Sequence, residues 1–394
     1  MPDPTPTLIT QVTDDHHWQQ YDSLATRSYG HPVDDITLLR HHADIRIAVR
    51  DGHVVAGGLG LLLPQFFGGA PVPSALLGAG CVAPEERGAH LSVRMISERL
   101  RPLRDQGAVI STLWTASSGY ARRLGWEAPT QVFSWTVPAN ELKRRFTENG
   151  FEITHGTNAK VHLLQNDLAT WWNGTWQRPQ WWEQWQQGKH PGLATYRFNQ
   201  PGHEPTGVLS LANEAHPVEG RQVVVHDFWA ADQDTAAAMF AFLGRHHSRI
   251  PTIAFQRTGL PPAPLLLHRL DHPGSLTAQS WHPWMLRILD LRRAVQLRGW
   301  PDDVNLTLPI EIITEDGEAT ERYTLQVTDG KGDLEPTTRA AQITLTRGQF
   351  AVWYAGGYRS TAAAALAGVA APPRVIAQLL TATMDREPWL ADHF

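Results

Sequence analysis

Cysteine is nearly absent from this sequence, because Cys81 is the only one among 394 residues. A single thiol excludes an internal disulfide and any zinc site that needs several thiolates, and it favours a reducing compartment. Positive charge is not in excess either: 34 lysines and arginines face 39 aspartates and glutamates, for a formal net charge of −5. This balance excludes a protein held on nucleic acid by its overall charge.

Targeting and membrane-spanning segments are also missing from the pattern. Residues 1–6 contain no basic segment followed by an apolar one, so no secretory signal is predicted. The longest uncharged run, residues 54–84, is interrupted by seven glycines and four prolines. A helix with so many breaks could not satisfy its backbone groups in lipid. We therefore expect two buried strands with a turn-rich connection, no membrane partner and a cytoplasmic location.

Length and patterning predict three domains, since roughly 100 to 200 residues make one domain. Strand-like and helix-like segments alternate through residues 1–138, and a similar, degenerate pattern restarts over residues 139–285. From residue 286 to 394, alternating strands precede two alanine-rich helical stretches. The expected fold class is α/β for the first two domains, with mixed sheets and flanking helices, and α+β for the third.

The most informative stretch runs from Gly78 to Ser92 and reads as a strand, a loop and a helix start. Unpaired amides at a helix start, together with the helix dipole, form an anion site. This pattern indicates a place for a pyrophosphate. A plain strand-to-helix connection is the alternative.

Part of this stretch, Val82-Ala-Pro-Glu-Glu-Arg-Gly88, resembles the acceptor-loop signature of the GNAT (Gcn5-related N-acetyltransferase) superfamily. With the stretch 116–126 and the aromatic Phe394 at the end, the whole chain is similar to the Eis (enhanced intracellular survival) type. The resemblance implies two tandem GNAT folds, a catalytic one in 1–138 and a degenerate one in 139–285. It also implies a sterol-carrier-protein-like domain in 286–394 that supplies the C-terminal carboxylate.

The resemblance further implies transfer of an acyl group, most simply acetyl from acetyl-coenzyme A (acetyl-CoA) or a related acyl-CoA, to a primary amine of a small molecule by direct attack. Main-chain amides around Cys81 would polarise the thioester carbonyl, while the Cys81 side chain is expected to be a small buried filler. The donor-binding residues implied are Cys81, Val82, Ala83, Arg87, Gly88, Ala89, His90, Leu91, Ser92 and Ser117.

By the same resemblance, Tyr120 is the acid that protonates the leaving thiolate. A phenol with a pKa of about 10 is protonated at neutral pH, so the role is chemically sensible. The main-chain carboxylate of Phe394 is implied to position or deprotonate the amine. The acceptor-binding residues expected are Tyr29, Trp126, Asp392 and Phe394. A core tyrosine and a frayed tail are the alternatives for Tyr120 and Phe394.

His90 departs from the family pattern, because it stands where a glycine is usual, and Ser92 occupies the last small position. An imidazole there intrudes on bound phosphates or donates a hydrogen bond to them. Two alternatives follow: an aminoacyl-tRNA donor, or a non-catalytic ligand-binding or scaffold protein. The basic residues available for tRNA phosphates are Arg99, Arg101, Arg104, residues 143–145, Arg292, Arg293 and Arg298.

Two unusual residue types need an interpretation. Nineteen histidines include adjacent pairs, but neighbours on a helix point about 100° apart and no His-Glu-x-x-His pattern occurs, so no metal site is predicted. Six tryptophans lie in residues 171–185, which favours packing between domains over a stacking surface for planar ligands. A homo-oligomer is expected only by family resemblance.

Overall fold

The computed structural model describes residues 7–88, 90–216, 220–263, 269–270, 276–314, 317 and 319–393. Over these residues the strands form three sheets of six, seven and four strands. Within the same ranges, no helix combines the length and the apolar character needed to cross a bilayer.

The strands in chain order are β1 (Leu8–Gln11), β2 (Asp44–Arg50), β3 (His53–Phe67), β4 (Ala70–Val82), β5 (Ile110–Trp114), β6 (Phe133–Pro138), β7 (Glu152–His155), β8 (Ala194–Asn199), β9 (Gly207–His216), β10 (Gly220–Ala230), β11 (Thr252–Phe255), β12 (Thr277–Ser280), β13 (Trp284–Ile288), β14 (Leu306–Ile313), β15 (Thr320–Thr328), β16 (Lys331–Pro336) and β17 (Ile343–Thr346).

The α-helices are α1 (Asp15–Tyr29), α2 (Asp34–Leu39), α3 (Leu91–Asp105), α4 (Ser118–Arg123), α5 (Ala139–Arg145), α6 (Ala159–Ala169), α7 (Trp182–Lys189), α8 (Gln233–Gly244), α9 (Leu291–Leu297), α10 (Arg347–Tyr354), α11 (Thr361–Leu366) and α12 (Pro373–Thr381). Short 3-10 turns cover Pro84–Glu86 and Arg245–Ser248.

The first two sheets share one topological unit. The first has the order β1-β2-β3-β4-β5-β13, and the second has the order β12-β6-β11-β10-β9-β8-β7. Each contains one parallel pair joined through a helix: β4 leads through α3 to β5, and β10 leads through α8 to β11. Parallel strands need such a crossover connection. The predicted α/β repeat is therefore confirmed in the topology.

The two sheets exchange strands across the predicted boundaries. Residues 133–138, placed in the first domain by sequence, form β6 of the second sheet, where they pair with β11 and β12. Conversely, β13 lies at the 285/286 boundary and completes the first sheet beside β5. The domain boundaries predicted at residues 138 and 285 therefore do not separate the two sheets. A strand that covers the open edge of β5 can come from anywhere in the chain.

The uncharged run folds as expected, into a long hairpin of β3 and β4 whose turn contains Gly68 and Gly69. Both glycines have positive φ, 59° and 80°, as the tight turn of a hairpin requires. Asp14 caps helix α1 by accepting from the His17 amide, and the apolar face of this helix is buried.

The third sheet has the order β16-β15-β14-β17 and packs against α10 and α12 through a core that includes Trp353. This core is continuous with that of the first sheet and includes Trp176, Trp182 and Trp185. The tryptophan-rich segment therefore packs between domains, as predicted, although Trp171 is exposed.

Candidate functional site

The central feature of the first sheet is the separation of its two parallel strands. Ser74, Ala75 and Leu76 of β4 pair with residues 110–112 of β5. Beyond this ladder, β4 continues along β3 to Val82, whereas β5 continues along β13 to Trp114. The two strands thus diverge at their carboxyl ends and leave a wedge between them. The carboxyl ends of parallel strands are where open α/β sheets bind ligands.

A bulge bends the carboxyl end of β4. The pairing register with β3 shifts between Gly57 and Leu59, and Ala79 has a φ of 48°. Two tyrosines of α1 donate hydrogen bonds to the carbonyls of the bend: the Tyr21 hydroxyl to Ala79 (2.9 Å) and the Tyr29 hydroxyl to Gly80 (3.0 Å). These bonds satisfy main-chain acceptors that a regular ladder would otherwise satisfy.

Arg99 of α3 also stabilises this bend through hydrogen bonds. Its side chain is buried, and Nη2 donates to the carbonyls of Gly78 (2.6 Å) and Leu59. A Cβ on Gly58 would overlap this guanidinium, so the glycine makes room for it. Burial lowers the pKa of Arg99 below its ordinary value. A charge-assisted bond to each strand holds β3 and β4 together where their register shifts.

Cys81 lies on β4 one residue before its end and is buried. Burial raises the pKa of this thiol to about 11. The thiol is therefore protonated at neutral pH, and a protonated thiol is a poor nucleophile.

The loop after β4 leads into an uncapped helix. Arg87 is exposed, and its Nε donates to the Val82 carbonyl (3.3 Å), while Gly88 has a φ of 90°. His90 precedes α3 with a φ of 54°, in the left-handed region, and its side chain is exposed. No described side chain caps the first amides of α3. Those amides and the helix dipole leave a positive end beside the wedge. Ala89 lies outside the described residues.

The backbone of His90 explains the glycine that is usual at this position. A φ of 54° is one that glycine adopts without cost, and histidine is among the few other residues enriched there. Because the imidazole is exposed, it does not fill the space between the strands. Leu91, the next residue, is buried and anchors the helix start.

Tyr120 joins α4 to the start of α3. Its hydroxyl donates to the Ser92 Oγ atom at 2.8 Å, and its side chain is half-buried. Ser92 is the second residue of α3, so the phenol lies at the positive helix end. Ser117 is exposed at the start of α4, where its carbonyl accepts from the Tyr120 amide. The structure therefore brings Tyr120 and the predicted loop together.

The C-terminal tail reaches the end of β5 from the third domain. Trp114 Nε1 donates to the Asp392 carbonyl (3.0 Å), and Lys189 Nζ donates to the His393 carbonyl (3.0 Å). Trp389 is buried, and its Nε1 donates to the Thr258 carbonyl (3.0 Å). The tail up to residue 393 is thus held between the domains. Phe394 itself lies outside the described residues.

Asp392 is predicted to bind the acceptor, but the structure places its carboxylate in a buried ion pair. It is 2% exposed, and Arg178 Nη2 donates to its Oδ1 at 2.8 Å. The same guanidinium binds Asp227 with two bonds of 2.5 and 3.1 Å. Burial raises the pKa of Asp392 above its ordinary value, whereas Asp227, which is also buried, has a lowered pKa because Arg178 outweighs the burial. Asp392 therefore anchors the tail.

Tyr29 and Trp126, both predicted to contact the acceptor, differ in their exposure to solvent. Tyr29 is 45% exposed beside Gly80, at the mouth of the wedge. Trp126 is 1% exposed and packs in a core with Leu100, so its predicted contact with the acceptor is corrected to a packing role. A tryptophan directly after the glycine that follows a helix gives no signal in the sequence that distinguishes these roles.

The site also contains residues that the sequence does not single out for it. Arg178 is one of many arginines, Trp114 ends a strand, and Lys189 ends α7. Each contacts a partner more than 200 residues away or on another domain. For Arg178, the sequence signal for burial is the group of six tryptophans in residues 171–185.

Comparisons with known proteins agree with this architecture. Residues 10–128 and 174–288 each match a model described as "Acetyltransferase (GNAT) domain", and residues 291–391 match a "Sterol carrier protein domain". This chain is a tandem GNAT protein with a C-terminal sterol carrier protein domain. These matches confirm the domain types of this tandem GNAT protein and their order, as predicted from the sequence.

Relatives and solved structures extend the match over nearly the whole chain. An uncharacterized N-acetyltransferase of Streptomyces avermitilis is 28% identical over 352 residues, which cover 83% of this chain and 82% of the relative. A GCN5-related N-acetyltransferase from Anabaena variabilis has a TM-score of 0.87 at 21% identity, covering 99% and 100% of the two chains. Eis1 from Mycobacterium abscessus has a TM-score of 0.77 at 18% identity, covering 99% and 100%. The predicted Eis-type fold is confirmed.

The buried Arg178 group yields a stability prediction. Arg178→Met would leave Asp227 and Asp392 buried without their shared cation, so the free energy of unfolding should fall by about 3–5 kcal/mol. Urea-induced unfolding measures this loss. The matched control is Arg101→Met, because the exposed guanidinium of Arg101 pairs with Glu98 and should contribute little. Equal losses in the two variants would contradict the anchoring role of Arg178.

Proposed function

We propose that this tandem GNAT protein transfers an acetyl group from acetyl-CoA, or an acyl group from a related acyl-CoA, to a primary amine of a small molecule. The observation that carries the proposal is the Tyr120–Ser92 hydrogen bond, which holds a phenol at the uncapped start of α3, beside the diverging strands. Aminolysis of a thioester needs an acid that protonates the leaving thiolate, and an anion site beside an open strand edge would bind the donor's phosphates.

The donor is expected to lie along the wedge with its pyrophosphate at the start of α3. Amides of Leu91 and Ser92, with the helix dipole, would bind the phosphates. The exposed position of the His90 side chain supports this placement, since the imidazole leaves the main chain accessible. The Ala83 N–H donates to the Val55 carbonyl of β3 at 2.9 Å, so by alternation the Val82 N–H points away from β3. The thioester carbonyl would then face the Val82 N–H, which would stabilise the negative charge that develops during attack.

The reaction needs one bond formed and one broken. The amine nitrogen attacks the thioester carbon, the tetrahedral intermediate collapses, and the carbon–sulfur bond breaks. Tyr120 donates its phenolic proton to the leaving sulfur, while the proton lost by the amine passes to a base and finally to solvent. Ser92 contributes by orienting the phenol. No covalent enzyme intermediate is involved, in keeping with the protonated state of Cys81.

The amine acceptor is expected to enter at the mouth of the wedge, near Tyr29. The C-terminal tail reaches the end of β5 through the Trp114 bond to the Asp392 carbonyl. A main-chain carboxylate on Phe394, the residue after His393, would be carried there, and it would attract the ammonium form of the acceptor. Arg178 and Asp392 act as positioning residues for this tail.

The aminoacyl-tRNA alternative receives less support from the surface charges. Arg99 and Arg298 are buried with their donors on main-chain carbonyls. Arg101 pairs with Glu98, Arg144 with Glu141, and Arg292 with Asp333. Cations engaged in this way are less available for phosphates. The non-catalytic alternative rests on His90 as an obstruction of the donor site, and the exposure of the His90 side chain supports the catalytic proposal instead. A cytoplasmic location and a homo-oligomeric state complete the proposal.

Removal of the phenolic hydroxyl tests the role of Tyr120. Tyr120→Phe should lower kcat for acetyl-CoA-dependent acylation of a responsive amine by about 100-fold or more, because the leaving thiolate loses its acid, while the affinity for acetyl-CoA changes little. Thiol release measures the turnover. Tyr323→Phe is the control, since that hydroxyl bonds Glu321 in the third domain. Unchanged turnover in Tyr120→Phe would remove the phenol from the scheme.

Extension of the chain tests the proposed carboxylate. A short Gly-Ser segment added after Phe394 moves the terminal charge away from the wedge, so turnover should fall by at least about tenfold, as expected when a positioned group is lost. The same segment added before Met1 should leave turnover unchanged. Full activity of the C-terminally extended protein would refute a role for the Phe394 carboxylate.

A further inference from the structure

A cluster of metal-ligating side chains lies in the second domain and takes no part in the proposed acyl transfer. His190, Glu214 and His226 each place one ligand atom so that all three atoms lie within 4.8 Å of one another. All three side chains are partly buried. The residues come from three elements: His190 follows α7, Glu214 lies on β9, and His226 lies on β10.

His226 lies on the same face of the second sheet as Glu214. Glu214 pairs with Gln222, and alternation along β10 from Gln222 places His226 on that face. The pairing of β10 with β9 shifts between Val225 and Asp227, so His226 is the extra residue of a bulge. Bulges are frequent beside functional sites. His226 Nε2 lies 3.4 Å from Glu214 Oε1.

The contact of the His226 ring nitrogen with Glu214 is long for a hydrogen bond. The Nε2 atom of His226 is inaccessible to solvent and makes no regular hydrogen bond with the described residues. The His190 ring lies beside it, with the centroids 4.0 Å apart and the planes 37° apart. A buried ring nitrogen that finds no donor or acceptor of good geometry is costly. A bound cation would satisfy it together with the His190 nitrogen and the Glu214 oxygen.

The neighbouring cations are engaged in other contacts. Lys189 Nζ donates to the His393 carbonyl and lies over the Trp185 ring, 4.8 Å from its centroid. The Arg257 guanidinium lies over the Trp281 ring, 5.3 Å from its centroid.

We propose that His190, Glu214 and His226 form a binding site for a divalent transition metal ion, with Zn²⁺ the best match. Two imidazoles and one carboxylate suit zinc, whereas magnesium and calcium prefer oxygen ligands only. Tetrahedral zinc with bonds of about 2.0–2.1 Å holds its ligand atoms about 3.4 Å apart. Binding therefore requires the three side chains to close by about one ångström, with the fourth position open to water.

The site would join α7 to the second sheet. Because Lys189, the last residue of α7, bonds the His393 carbonyl, the ion would also stiffen the helix end that holds the C-terminal tail. This inference does not depend on the acyl-transfer proposal, since the ion is assigned no chemical step. The sequence predicts no metal site because the three residues span 190 to 226 with no recognisable spacing.

Titration of the full-length protein with Zn²⁺ after chelator treatment tests the site. Calorimetry should show one ion per chain, and Co²⁺ used as a probe should give the intense visible bands of a tetrahedral complex. His190→Gln and His226→Gln should each weaken Zn²⁺ binding by more than about tenfold, a loss seen even when a ligand is only loosened. Glutamine retains hydrogen-bonding ability, and circular dichroism checks that the variants fold.

His203→Gln is the matched control, because His203 is exposed in the same domain and lies outside the cluster. Zn²⁺ binding by this variant should equal that of the wild type. Absence of saturable Zn²⁺ and Co²⁺ binding by the wild-type chain would overturn the proposal. Binding that persists unchanged in both cluster variants would overturn the assignment of these residues. Neither readout uses acyl transfer, so failure here is distinguishable from failure of the proposed function.

Discussion

The separation of β4 from β5 after three paired residues is the constraint on which the rest of the structure depends. A continuous ladder would bury the strand ends and leave no space for a ligand. The bulge at Ala79 bends β4 away from β5. Arg99, Tyr21 and Tyr29 donate hydrogen bonds to the carbonyls of this bend. Since a buried carbonyl without a donor is costly, these side chains stabilise a strand end that would otherwise be unfavourable. The wedge is thus a property of the folded sheet.

The other domains complete this wedge. β13, at the end of the residues that match the second GNAT model, covers the outer edge of β5. The tail from the sterol carrier protein domain ends beside Trp114, and the second GNAT domain holds that tail through Arg178 and Lys189. Buried ion groups contribute little net stability but specify one arrangement, since breaking them leaves unpaired charges. The second and third domains therefore position parts of a site that belongs to the first.

Sequence patterns predicted the parts of the fold whose signals are local. The turn of the β3–β4 hairpin, the strand-loop-helix around Val82 to Ser92 and the order of the three domains all leave periodic or turn signals. The exchange of β6 and β13 leaves no such signal, because edge pairing is a property of the assembled sheets. The same reason applies to Asp392 and Trp126, whose burial depends on Arg178 and on core packing far away in the chain.

Binding of the donor tests the central claim most directly. Calorimetric titration of the full-length protein with acetyl-CoA, propionyl-CoA and CoA should show saturable binding of one molecule per chain, because the uncapped start of α3 offers amides for the pyrophosphate. Failure of all three compounds to bind would contradict the assignment of the wedge between β4 and β5 as an acyl-CoA site.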